Sequence, residues 1–245
     1  TIDFWVQDST GLTNLYVHTL IDNAGTLFAG TQSGIFRQVA GVWTPTNTGL
    51  GNTDILSLVS DPTNSNTMYA GTNGGVFKSV DNGNNWNSID LPIFPFRALS
   101  VDPVTPTTVY AGAAGAGAGI FKSTNAGANW TAIGTGITNL NITRILVDPV
   151  TPTTLYAGTN GGGIFKSTDG GNNWTASNNN LTNLTINFME FERGAVGSDC
   201  SLPTCPPLTV IPTNLYVGTN GGVFKSVDGG LNWYSINSMT NQLAP

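Results

Sequence analysis

The chain has 245 residues, of which 39% are hydrophobic and only 9% charged, with a formal net charge of −6. Eight Lys and Arg residues give no basic footprint for neutralising phosphates, which excludes nucleic acid as a partner and makes an anionic membrane a poor one. The hydrophobic content and regular aromatics exceed what a disordered chain carries, and no apolar run is long enough to span a bilayer.

The chain starts at Thr1 without Met or a signal-like segment, which reads as a processed or trimmed product. Residues 1–13 contain Phe4-Trp5-Val6 and then Thr10-Gly11-Leu12, matching the text TPTNTGL that follows Trp43. They read as the last strand of a repeat whose beginning is missing, either closing a ring or left spare to pair with an edge on another molecule. Five full units follow, at about 14–50, 51–94, 95–138, 139–182 and 183–240, in a single expected domain. All six tryptophans lie on this frame, with spacings of 38, 43, 44, 44 and 59 residues.

Each unit opens with an apolar strand: Leu15 to Ile21, Ile55 to Val59, Ala98 to Val101, Ile145 to Val147 and Ile186 to Phe191. Asp61-Pro62, Asp102-Pro103 and Asp148-Pro149 stop three of these, because proline removes the ladder donor and aspartate bonds its own turn. The second strand carries the Tyr69-Ala70-Gly71-Thr72 type of signature, and a Gly-rich turn such as Asn73-Gly74-Gly75 supplies the positive φ angles of a hairpin. A third strand, Val76-Phe77-Lys78-Ser79, and a fourth beginning at the tryptophan complete the unit. Four strands in about 40 to 45 residues is the period of a propeller blade. The expected fold is all-β, a five-bladed propeller, with a six-unit ring or a piece of a longer array as alternatives.

In the fifth unit, residues 192–212 are inserted between the first and second strands. This loop holds Cys200 and Cys205, five positions apart and bounded by prolines, where a local disulfide would contribute about 2 kcal/mol. Free thiols are the alternative. Two sulfurs with no histidine nearby fall short of a zinc site, and no cofactor is expected.

The turn before the tryptophan has the spacing S/T-x-D-x-G-x-x-W: Ser79, Asp81, Gly83, Trp86; then Ser167, Asp169, Gly171, Trp174; then Ser226, Asp228, Gly230, Trp233. The copy at Ser123, Asn125, Gly127 and Trp130 substitutes an amide, and the first unit has only Gly41-Val42-Trp43. The aspartate is expected to accept backbone N–H groups within its turn, the glycine to take a conformation closed to side chains, and the tryptophan to bury its ring between sheets. On these residues the chain resembles the Asp-box, or bacterial neuraminidase repeat, found in propellers of sialidases, sortilin-type receptors, xyloglucan-active glycosidases and photosystem assembly factors. The resemblance implies structural roles for these residues and no catalytic role. Asn125 and the first unit leave the turn geometry there open.

A sialidase-like site needs three arginines, and only Arg37, Arg97, Arg144 and Arg193 exist, with Arg37 standing at the frame position of Lys78, Lys122, Lys166 and Lys225. A two-carboxylate glycosidase needs a matched pair of acids. Asp22, Asp61, Asp102, Asp148, Asp81, Asp169 and Asp228 belong to the frame, leaving Asp54 as the acid best placed at a first strand. Positions that break the apolar pattern of the first strands are the candidate ligand site at a channel mouth: His18, Asp54, Arg97, Arg144 and Asn187. Five N-x-T sequons, at Asn129, Asn141, Asn173, Asn180 and Asn183, would accept glycans in a eukaryotic secretory route. The sequence therefore points to a secreted, non-catalytic interaction or structural module whose partners are proteins or copies of itself. A glycan-binding module or an Asp-box glycoside hydrolase is the alternative.

Overall fold

The computed structural model describes residues 8–115, 117–193 and 210–236. They form five four-stranded antiparallel sheets, each from one continuous stretch, and no helix; the fold is a five-bladed β-propeller. Blade 1 comprises β1 (Val17–Asn23), β2 (Thr26–Thr31), β3 (Gly34–Val39) and β4 (Val42–Pro45). Blade 2 comprises β5 (Ile55–Asp61), β6 (Asn64–Thr72), β7 (Gly75–Ser79) and β8 (Asn87–Ser88). Blade 3 comprises β9 (Phe96–Val101), β10 (Val109–Ala113), β11 (Gly119–Ser123) and β12 (Thr131–Ile133). Blade 4 comprises β13 (Ile142–Val147), β14 (Leu155–Thr159), β15 (Ile164–Ser167) and β16 (Thr175–Ala176). Blade 5 comprises β17 (Ile186–Arg193), β18 (Val210–Thr219), β19 (Gly222–Ser226) and β20 (Tyr234–Ser235).

Packing gathers the described residues into two compact units. Unit 1 comprises the described residues of 8–101, 106–111 and 122–131, and unit 2 those of 102–105, 112–121, 132–193 and 210–236. In unit 1, Phe28 and Ile35 of blade 1 pack on Ile55, Leu58, Met68, Ala70, Phe77 and Trp86 of blade 2. In unit 2, Tyr156 and Ile164 of blade 4 pack in the same way on Ile186, Met189, Leu215, Val217, Phe224 and Trp233 of blade 5. A second strand lies between two apolar layers, so the YAG text is buried on both faces and shows no alternation.

The serine-aspartate turns keep one geometry. Ser79 Oγ donates to Asp81 Oδ1 at 2.8 Å and accepts from Gly83 N at 2.9 Å, while Asp81 takes Asn85 N at 2.9 Å and Asn85 Nδ2 at 2.7 Å. Ser167 and Asp169, and Ser226 and Asp228, repeat these bonds. Asn125 preserves the turn, because its Oδ1 still accepts from Ser123 Oγ at 3.0 Å and from Asn129 N at 2.8 Å. Blade 1 dispenses with the turn. Val39 pairs directly with Val42, and Ala40 and Gly41 have φ of 50° and 78°, a two-residue hairpin in which both central residues are left-handed.

The fourth strand begins one residue after the tryptophan in blades 2 to 5, and Trp43 lies inside it only in blade 1. Trp130 and Trp174 donate Nε1 within their own turns, to Gly127 O and Gly171 O, whereas the other described indoles dock under the segment that precedes their blade. Trp86 N donates to Thr48 O at 2.8 Å and Trp86 Nε1 to Thr46 O at 3.1 Å; in unit 2, Trp233 N bonds Asn179 O and Nε1 bonds Ser177 O. Trp43 finds the same partners in Thr10 O and Asp8 O, so residues 8–12 act as the connector in front of blade 1. Trp5, Cys200 and Cys205, and with them the proposed disulfide, lie outside the described residues. The described ends of the fifth-unit insertion extend the β17–β18 ladder, Glu192 opposite Ile211 and Arg193 opposite Val210, beyond a bulge at Phe191/Glu192.

Candidate functional site

The first strands share an irregularity at their start. Val17 pairs with Thr31, Ile55 with Thr72, Ile142 with Thr159 and Ile186 with Thr219; each pairing then skips a residue before Thr19, Ser57, Arg144 or Phe188. The skipped residue is a β-bulge, which re-aims its side chain out of the ladder. It is His18 in blade 1, Leu56 in blade 2, Thr143 in blade 4 and Asn187 in blade 5, and Arg97 holds the same sequence position in blade 3. Bulges at this place explain why the polar breaks in the first strands fall where they do.

In unit 1 the structure brings His18 and Asp54 together. His18 Nε2 lies 3.6 Å from Asp54 Oδ1, an ion pair when the imidazole is protonated. Asp54 Oδ2 accepts from Asn73 Nδ2, while Oδ1 is shielded from solvent and accepts no hydrogen bond among the described residues. Arg97, also in unit 1, is exposed. In unit 2, Arg144 is half-buried with Nη1 donating to Thr143 O at 2.8 Å, and Asn187 Nδ2 donates to Asn220 Oδ1 at 2.8 Å. Arg144 thus stands one residue past the bulge, at a ladder position rather than the bulge position of His18 and Asn187.

Amides frame this end of the strands. Asn14, Asn52, Asn139 and Asn183 each accept, through Oδ1, the N–H two residues on, at 2.8 to 3.0 Å. Such turns fix where each first strand starts. Gly74 and Gly221 are bare because a Cβ there would meet Asn52 Cβ at 3.0 Å or Asn183 Cβ at 2.9 Å. In unit 2 a cleft of 370 Å³ is lined by Gly115, Gly117, Thr138, Asn139, Leu140 and Asn141. The sequence reading passed over this asparagine, although an Asn three residues ahead of the first strand position recurs in four units. It also passed over Thr72 and Thr159, whose Oγ1 closes the β2–β3 type of turn by donating to Gly75 O and Gly163 O.

The carboxylates of the repeat frame are occupied in folding roles. Asp61, Asp102 and Asp148 accept the N–H groups of their own turns, and the cleft holding Asp22 and Asp61 is lined by acids so engaged. The Asn85 side-chain and backbone bonds pull the Asp81 pKa below its ordinary value, and those of Asn173 bring Asp169 down to about 2. Asn214 and Lys225 lower Glu192, which lies 3.2 Å from Lys225 Nζ and also accepts from Tyr216. Burial raises Tyr69, to about 12, its hydroxyl donating to Ala126 O. No group of three or more metal-ligating side chains occurs among the described residues, and no helix among them is long and apolar enough to cross a membrane.

No protein-family model and no curated protein matches the chain. Solved structures do match. An ancestral GH74 enzyme superposes with a TM-score of 0.73 at 18% identity, over 96% of this chain and 33% of the other. The GH74 enzyme of Niastella koreensis gives 0.59 at 24%, over 90% and 45%. The extracellular domain of a one-component system of B. thetaiotaomicron gives 0.64 at 21%, over 86% and 27%. At these identities the likeness is one of propeller fold, and the chain spans a third to under half of the GH74 enzymes and about a quarter of the sensor domain.

Proposed function

We propose that the chain is a secreted, non-catalytic interaction propeller built from Asp-box repeats. The observation that carries this is the strand-head cluster of unit 1, which holds one carboxylate, Asp54, beside an imidazole and an amide. Hydrolysis of a glycosidic bond by the usual route needs a second carboxylate about 5 to 9.5 Å away. The serine-aspartate turns support the Asp-box reading, since each acid there holds backbone and asparagine N–H groups in place. The extracellular sensor domain among the similar structures supports a secreted location. The test is incubation of the purified chain with xyloglucan and other β-glucans while reducing ends are counted. No release above a heat-treated control is expected, and turnover abolished by Asp54→Asn would sink the non-catalytic reading.

A glycan-binding role is the second reading, favoured by the amides of Asn52 and Asn73 beside Asp54 in unit 1, a group that offers donors and acceptors to sugar hydroxyls. A glycan array decides it. Binding weakened by Arg97→Ala or Asn187→Ala supports it, and a blank array removes it.

A further inference from the structure

In unit 1 the first strands of blades 1 and 2 also end side by side, at the end opposite His18 and Asp54. β1 runs into Asp22 and Asn23 and β5 into Ser60 and Asp61, and each turns to its second strand through only two residues, Ala24-Gly25 and Pro62-Thr63. Seven residues, 148–154, make the same connection in blade 4. Between the two short turns lies a cleft of 460 Å³, lined chiefly by Asp22, Asn23, Ser60, Asp61, Thr63 and Ser65.

The walls offer acceptors, and no Lys, Arg or His among the described residues lines them. Asp22 Oδ1 holds Gly25 N at 2.7 Å, and Asp61 Oδ1 holds Thr63 N, Thr63 Oγ1 and Asn64 N at 2.8 to 3.1 Å. The second oxygen of each carboxylate accepts no hydrogen bond among the described residues. Lys78 lies within the field of Asp61 but donates to Ala126 O at 2.7 Å. Asn23 points to a ligand independently of the two acids. It is 4% exposed, and its Nδ2 is held by Ser65 O at 2.8 Å and Asn82 Oδ1 at 2.9 Å, which fixes the amide plane. Its Oδ1 accepts nothing among the described residues, and a buried amide oxygen without a donor is costly, so the position lacks a donor from outside the chain.

Two free carboxylate oxygens, an amide oxygen and three hydroxyls call for several N–H donors on one positive group. A guanidinium carries five in a fixed plane, on a side chain of a size to enter such a cleft. A calcium ion would instead need six to eight oxygens drawn in to about 2.3–2.6 Å. We infer that this cleft of unit 1 takes an arginine side chain of a partner protein. Charge complementarity with a chain of net charge −6 favours that occupant, and the inference rests on the interaction reading above, whose partner it describes.

The probe is a blocked peptide of alternating glycine and arginine, with citrulline in place of arginine as its uncharged counterpart, titrated into the isotope-labelled full chain while backbone amide shifts are followed. Saturable shifts are expected at Gly25, Thr63 and Asn64, whose N–H groups sit on the two carboxylates, and none with the citrulline peptide. Asp22→Asn and Asp61→Asn keep the oxygen that holds each turn, and each should weaken binding by about fivefold or more. If Asp61→Asn disturbs its turn, Asp22→Asn carries the comparison, because Asp22 is exposed. The absence of saturable shifts overturns the inference, as does binding that the citrulline peptide shares or that Asp22→Asn leaves unchanged. Shifts as large at the turns of Asp169 and Asp228 would mean unspecific attraction to acids and also overturn it. Calcium chloride is the third arm: calcium moving the three amides where the peptide does not would make this a metal site and overturn the arginine reading. The hydrolysis and glycan tests act at Asp54, at the other end of these strands, so failure of the non-catalytic reading would leave these shifts as they are and the two failures are distinguished.

Discussion

Gly71→Ala and Gly218→Ala place the same methyl group at the same signature position in two blades, and the outcomes should differ. Neither glycine has a left-handed φ, so alanine fits both backbones and tends to stabilise by about 0.5–1 kcal/mol through chain entropy. At Gly71 the new Cβ would lie 2.3 Å from Phe96 O and 2.4 Å from Ser57 Oγ, and one of these atoms is backbone of the neighbouring blade. Relieving that overlap costs about 1–3 kcal/mol. It also disturbs the 3.1 Å bond from Ser57 Oγ to Phe96 O, worth about 0.5–1.5 kcal/mol. The net loss is about 2 kcal/mol, which in a chain of this size lowers the melting temperature by about 4–8 °C. At Gly218 the nearest atom is Phe188 Cβ at an ordinary 3.4 Å, so the midpoint should hold or rise slightly. Calorimetry at one protein concentration measures the pair. Equal falls would refute the reasoning, because they would mean that the loss at Gly71 does not come from its overlap with Phe96 O and Ser57 Oγ.

Trp86→Ala should destabilise by about 3–5 kcal/mol, read by urea unfolding, because the indole is almost wholly buried and bonded to Thr46 O; Trp130→Ala should cost less, its ring being half-buried. Ser167→Ala leaves Gly171 N buried without its acceptor and should cost about 1–3 kcal/mol by the same measurement. The turn aspartates Asp81, Asp169 and Asp228 have folded pKa values below the ordinary 3.8, so the unfolded chain binds their protons first. Their stabilisation is therefore complete above about pH 4 and is lost as the pH falls toward about 2, which acid titration by circular dichroism should trace. Asn125→Asp supplies the second acceptor oxygen that Asn129 lacks and should raise stability near neutral pH, with the gain vanishing in acid; a gain that persists at pH 2 would refute the account.

Blade number and strand order were legible in the sequence because each blade is a contiguous hairpin series, and its turns are written in short-range chemistry. Asp-Pro steps, left-handed glycines and the serine-aspartate pair act over four residues, so their text reports their geometry directly. The first strands were read two or three residues short in blades 3 and 4, where Phe96 and Ile142 open the strand, because bulge residues such as Thr143 interrupt the alternation that marks a strand. Of the site residues, sequence named His18 and Asp54 separately. Only the packing of blade 1 on blade 2 sets them 3.6 Å apart and leaves one Asp54 oxygen without a donor among the described residues.

By itself, then, the sequence determined the repeat and the all-β class, since those follow from short-range chemistry written within each blade. Tertiary structure alone decided which identical-looking residues are covered. Ile35 and Ile164 read as ordinary third-strand residues, yet each is fully buried because the first strand of the next blade in its unit, with Ile55 or Ile186, packs against it. The hydrophobic effect acts on area removed from water, and that area belongs to the neighbour as much as to the residue.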